Sequence, residues 1–161
     1  MVENKKIITH DDLVNIGYKW VMKHCGVAFK ELKAAHNEIP DVLGFNSSGS
    51  FLLEAKTSRA DYFLDKKKNF RQFSGKGVGD WRFFIIPEGL IRIEELPENW
   101  GLIEVNLQKK IANTYNPFGK GNIYSSWKKC DKSLEAEMTF MYSALRRLQN
   151  LGKINEIYKE K

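Results

Sequence analysis

Apolar positions change their period several times along the chain, and each change marks an element. Between Thr9 and Gly26, Leu13, Ile16, Trp20 and Val21 recur at helical spacing. This predicts an amphipathic helix with Thr9 as its cap, Asp11 and Asp12 in its first turn and Gly26 as its stop. Residues 27–32 (VAFKEL) read as a short strand. Residues 41–45 (DVLGF) and 51–56 (FLLEAK) are apolar runs on either side of NSSGS, whose small polar residues suit a hairpin turn. Over 60–73, Tyr62 or Phe63, Lys66, Phe70 and Phe73 fall at spacings that predict a helix with one aromatic and one basic face, broken by SGKGVGD. Residues 81–87 (WRFFIIP) and 100–106 (WGLIEVN) are aromatic and β-branched runs bounded by turn signals, as inner strands are. Residues 113–127 have no clean period and read as a loop or a set of turns. Finally, Ser133 caps a helix in which Leu134, Met138, Met141, Leu145 and Leu148 form an apolar stripe, with Gly152 as its stop.

This order of elements predicts an α/β fold with strands grouped centrally and helices outside. A chain of 161 residues, 42% hydrophobic and 12% aromatic, suits one domain spanning 1–161 with a sizeable core. Cys25 and Cys130 lie far apart without Cys-x-x-Cys companions, which speaks against a disulfide framework or a zinc knuckle and for reduced thiols in a cytosolic protein. The start, MVENKKIITHDD, lacks the apolar run of a signal peptide, and no later run is long enough to cross a bilayer. A cytoplasmic protein without a membrane partner is therefore expected. A net charge of +6 shifts the expectation modestly toward a polyanionic partner.

The charges in the hairpin carry the candidate chemistry. Side chains alternate faces along a strand, so Glu54 and Lys56 share one face while Leu53 and Ala55 point to the other. If the hairpin closes through residues 46–49, Phe45 pairs with Ser50, Leu43 pairs with Leu52, and Asp41 falls opposite Glu54. Facing carboxylates repel unless a positive charge sits between them. Oxygen ligands favour Mg²⁺ or Mn²⁺ there, with the Ala55 carbonyl as a further ligand and Lys56 beside an attacking water or an anionic transition state. Glu-x-Lys alone is most often a solvated ion pair worth little. The combination here is larger: Pro40-Asp41, a hairpin-sized interval, an apolar strand ending in Glu54-Ala55-Lys56, and a basic segment directly after it.

At these residues the chain resembles the PD-(D/E)XK nuclease superfamily, whose motif is matched by Pro40-Asp41 and Glu54-Ala55-Lys56. A longer similarity runs from IPDVLGF through EAKTSRADYFLDKKKNFRQ, GVGDWRFFIIPEGLI and ELPENWGLIEV to SALRRL, and is to a bacterial and phage group of MmcB-like proteins associated with DNA repair. The resemblance implies a restriction-endonuclease-like core, a central mixed β-sheet flanked by helices, in which Asp41 and Glu54 bind metal and Lys56 assists attack of water on a phosphodiester of DNA. Members often carry a further acid upstream. Glu31 and Glu38 both qualify, Glu31 being preferred. A glutamine or basic residue on the next helix also recurs in the superfamily, and Arg59, Lys66 or Gln72 fits that place.

Arg59, Lys66, Lys67, Lys68, Arg71 and Lys76 crowd around that segment with only Asp61 and Asp65 opposing them. A charge run is usually a solvated face. Beside a metal site, however, such residues orient a duplex through its phosphates, and Arg59, Lys66, Lys67, Lys68, Arg71 and Gln72 are the expected DNA contacts. SGKGVGD lacks the order of a phosphate-binding loop, no nucleophile elbow occurs, and His10, His24 and His36, which form no pair at helical spacing, read as surface or capping residues. The expected function is a Mg²⁺- or Mn²⁺-dependent DNA nuclease in repair or DNA processing. The alternative is a catalytically inactive nucleic-acid-binding or partner-recruiting module on the same fold.

Overall fold

The structure, a computed structural model, describes residues 7–68, 71 and 74–159. Its centre is a mixed sheet of β1 (Val27–Lys30), β2 (Val42–Phe45), β3 (Ser50–Ala55), β4 (Trp81–Pro87), β5 (Trp100–Val105) and β6 (Ile111–Tyr115), laid side by side in chain order. β1, β2 and β3 are antiparallel, β3, β4 and β5 are parallel, and β6 returns antiparallel. Parallel neighbours need a crossover, and α2 (Arg59–Asp65) supplies part of the one between β3 and β4. α1 (His10–Val21) and α3 (Leu134–Asn150) complete the α/β arrangement.

β3 and β4 are buried on both faces, and their alternating side chains feed two cores. Phe51, Leu53, Trp81, Phe83 and Ile85 pack with Leu13, Val14 and Val21 of α1. Leu52, Phe84 and Ile86 pack with Tyr62 of α2 and Ala136 and Phe140 of α3. α1 starts as its sequence predicts: Thr9 and Asp12 form a reciprocal capping box, with Asp11 and Asp12 in the first turn. The helix sits very close to β2, because Gly44 lies beneath it. A Cβ built on Gly44 would stand 2.2 Å from Val21 Cγ1 and 3.0 Å from Cys25 Sγ.

α3 is tied to the sheet by a buried polar cluster. Ser133 caps it, and Lys132 Nζ reaches Asp80 Oδ2 at 2.5 Å and Glu137 Oε2 at 2.8 Å. Glu137 also accepts from Gly79 N and from the Ser50 hydroxyl. These contacts turn Ala136, Glu137 and Phe140 inward. Leu134, Met138, Met141, Leu145 and Leu148, the stripe expected to be its apolar face, lie exposed.

Two further expectations need correction. The helix foreseen over 60–73 ends at Asp65, where Lys67 N and Lys68 N bond back to Leu64 O and Asp65 O and tighten the chain into turns. Phe70, Gln72 and Phe73 lie outside the described residues. Residues 113–127 are not all loop: Ile111–Tyr115 is an exposed edge strand, and Ile123–Ser126 a single helical turn. The strand is exposed along its whole length and the turn sets only Ile123 against the core, so neither imposes an apolar period. Among the described residues no helix is long and apolar enough to cross a membrane.

The closeness at Gly44 predicts that Gly44→Ala, by forcing α1 off the sheet, lowers stability by about 1–3 kcal/mol, measurable by urea denaturation.

Candidate metal and phosphodiester site

The hairpin has the register that its loop length implies: Phe45 pairs with Ser50, Leu43 with Leu52 and Val42 with Leu53, which sets Asp41 opposite Glu54. Asn46 shapes the turn by accepting from Ser48 N and Gly49 N at 2.8 and 2.9 Å. At the other end Asp41 Oδ2 accepts from Ala55 N at 2.7 Å, so Ala55 offers the site its amide.

Asp41 and Glu54 then face different neighbours. Asp41 Oδ1 lies 3.3 Å from His10 Nε2, and His10 Nδ1 lies 3.9 Å from Glu31 Oε1. One ligand atom from each of His10, Glu31 and Asp41 falls within 4.8 Å of the others. Glu31 follows β1 with φ of +48°, a conformation a non-glycine residue seldom adopts, and its amide donates to Asp41 O at 3.0 Å. Of the two candidate upstream acids, Glu31 is thus the one beside Asp41. A shallow groove lined by Asp11, Val14, Asn15, Lys30 and Glu31 opens next to it.

Glu54 is buried with Glu38 and Asp65 around Arg71. Arg71 spans all three carboxylates: Nη1 to Glu38 Oε1 at 2.5 Å, Nη2 to Glu54 Oε1 at 3.1 Å and Nε to Asp65 Oδ2 at 3.0 Å. Lys56 Nζ sits between Glu54 Oε2 at 3.4 Å and Asp65 Oδ1 at 3.2 Å. The positive charge beside Glu54 is that of Arg71 and Lys56, at the place where a divalent metal was expected to fit between Glu54 and Asp41. Burial pushes the Glu54 carboxyl up to about 8, against the pull of Arg71, and Asp41 adds to the rise. Burial works against the charge on Lys56 too, but Glu54, Asp65, Asp61 and Asp41 outweigh it and raise its pKa. Lys56 is thus a fixed ammonium, suited to neutralising charge and unsuited to taking up a proton. Asp65 is held below its ordinary range, because Arg71, Lys56 and Lys68 together overcome its burial.

The expected DNA contacts divide. Arg71 is only 6% exposed, and its place among carboxylates removes it from the phosphate-contacting surface. Arg59 is half exposed but grips Glu95 Oε1 at 2.5 Å, and Lys66 donates to Glu95 O at 2.9 Å. Lys67 is exposed, and Lys68 is 45% exposed while reaching Asp65 at 2.9 Å. Gln72 lies outside the described residues. Glu38, the other upstream acid, is engaged by Arg71 and Val78 N. Sequence reasoning missed His10, which looked like a helix-start residue, and Asp65, which looked like surface helix. No local pattern marks either one, because each meets the site only through the fold.

No family model matches the chain, and no curated protein does. Among solved structures it is similar to the SPO1766 protein of unknown function from Silicibacter pomeroyi, with a TM-score of 0.55 and 20% identity over 88% of this chain and 90% of that one. At that identity the likeness speaks for the fold alone.

Removing Arg71 leaves three buried carboxylates without their shared partner, so Arg71→Met is expected to cost about 3–5 kcal/mol, whereas Lys67→Ala stays within about 0.5. The loss depends on pH with a definite sign. Glu54 holds its proton more tightly folded than unfolded, so its contribution falls as pH rises from the ordinary carboxylate range through about 8. Without Arg71 that fall steepens. Melting curves at pH 5 and pH 8 check this, and the variant should trail the parent by more at pH 8.

Proposed function

We propose that the protein is a metal-dependent DNA nuclease in which His10, Glu31 and Asp41 hold a divalent cation and Lys56 neutralises charge on the scissile phosphate. The observation that carries this reading is the meeting of one imidazole and two carboxylates at the hairpin end that also bears Glu54 and Lys56. An imidazole beside two carboxylates suits Mn²⁺ at least as well as Mg²⁺. Such an ion supplies Lewis-acid charge and acidifies bound water. Asp41 is oriented for it by the Ala55 amide, and His10 by its place at the start of α1. Glu54 and Asp65 keep the Lys56 ammonium fixed, so its position needs no reorganisation as negative charge builds. Net charge of +6 and the exposed Lys67 and Lys68 after the motif favour a polyanionic substrate.

A specific observation favours a second reading, a DNA-binding module without cleavage: Glu54 and Lys56 are only 3% and 4% exposed. In that reading their charges brace the hairpin.

Calorimetry with Mn²⁺ and cleavage assays on linear, nicked, single-stranded and branched DNA, with Mg²⁺, Mn²⁺ or chelator, separate the two. The nuclease reading expects metal-dependent cleavage, Mn²⁺ binding lost in Asp41→Asn and weakened in His10→Ala, and a Lys56→Ala variant that keeps metal and DNA but cleaves about 10²-fold more slowly. Unchanged Mn²⁺ binding in Asp41→Asn removes the metal site. Tight DNA binding without cleavage under any metal selects the module.

A further inference from the structure

α3 carries two faces that the fold treats differently. Ala136, Glu137, Phe140 and Ala144 turn toward the sheet and the buried polar cluster, and Arg147 donates to Lys33 O at 2.6 Å. The other face shows Leu134, Met138, Met141, Tyr142, Leu145 and Leu148, between 36% and 72% exposed. Their exposed parts amount to roughly 700 Å², close to the ~800 Å² that each partner brings to a standard-size interface and above what a monomer usually leaves bare.

Spacing and charge identify the occupant. Leu134, Met138, Met141, Leu145 and Leu148 follow one another at alternating steps of four and three residues, the 3.5-residue period with which helices wind about other helices. Packing against a sheet demands no such period, and here the sheet takes the other face. The rim of the stripe is acidic at its start, with Glu135, and basic toward its end, with Arg146. A second copy laid antiparallel brings Glu135 beside Arg146 of its partner, opposes the two helix dipoles, and stacks Leu134 on Leu148, Met138 on Leu145, and Met141 on itself. A parallel pair sets like charges together at both ends.

We propose that the protein forms a two-fold symmetric homodimer through an antiparallel pairing of α3 with α3 of a second copy. The pairing is isologous, as closed dimers require, and stands independently of the nuclease reading.

Sedimentation equilibrium of the full chain at about 100 μM tests it, a concentration that populates dimers of micromolar affinity. Twice the 18.7 kDa chain mass is expected. Met141→Glu sets two carboxylates against each other on the two-fold axis and should raise the dissociation constant about 100-fold or more, with little change in melting midpoint because the position lies outside the core. In a Cys130→Ser background under oxidising conditions, Leu134→Cys mixed with Leu148→Cys should give disulfide-linked dimers, and Leu134→Cys alone should not. A parent that stays monomeric overturns the proposal and leaves the stripe to another occupant. So does an undiminished dimer in Met141→Glu, or cross-linking by Leu134→Cys alone.

Discussion

The pairing of β2 with β3 is the constraint on which the rest of the structure depends. It is pinned at both ends, by the Asn46 side chain closing the turn and by the Asp41 carboxylate on the Ala55 amide. A slip of one residue would move every side chain of a strand to the opposite face. Leu53 and Ala55 would leave the α1 core, and Glu54 would enter it. The register thus decides which layer receives the charges and which receives only apolar side chains.

On the α2 side, buried charge is the organising fact. Glu38, Glu54 and Asp65 meet Lys56 and Arg71 with few contacts to water. Removing so many ions from water is expensive, and their mutual attraction repays it only when the geometry is tight. Arg71 can serve three carboxylates because its planar fork donates to Glu38 and Asp65 in fixed directions while its remaining nitrogen lies 3.1 Å from Glu54, an arrangement a lysine cannot reproduce. The cluster thereby joins the segment before β2, the end of β3, α2 and, through Val78, the approach to β4. Lys56 is held ready-charged, and Asp41 is left facing His10 and Glu31 at the surface.

Seating α3 by polar contacts has a different consequence. Lys132, Asp80 and Glu137 fix the start of the helix, and the short side chains of Ala136 and Ala144 let it lie near the sheet. Phe140 is the large apolar side chain that this seating turns inward, and Leu134, Met138, Met141, Leu145 and Leu148 are left facing outward.

The sequence alone determined the strands β1 to β5, the capped starts of α1 and α3, the hairpin and its register, because each follows from side chains within a few residues of one another. It also brought forward Asp41, Glu54 and Lys56, since alternation along a strand and a fixed turn length are local rules. Only the tertiary structure decided that Arg71 is a buried partner of carboxylates, that His10 and Glu31 stand beside Asp41, and that the stripe on α3 faces away from the sheet. Periodicity shows that a helix has an apolar face, but the direction of that face depends on what else the helix is bonded to. A charged side chain likewise reads the same in sequence whether it meets water or three carboxylates, since its partners lie up to 33 residues away and meet it only when the sheet has formed.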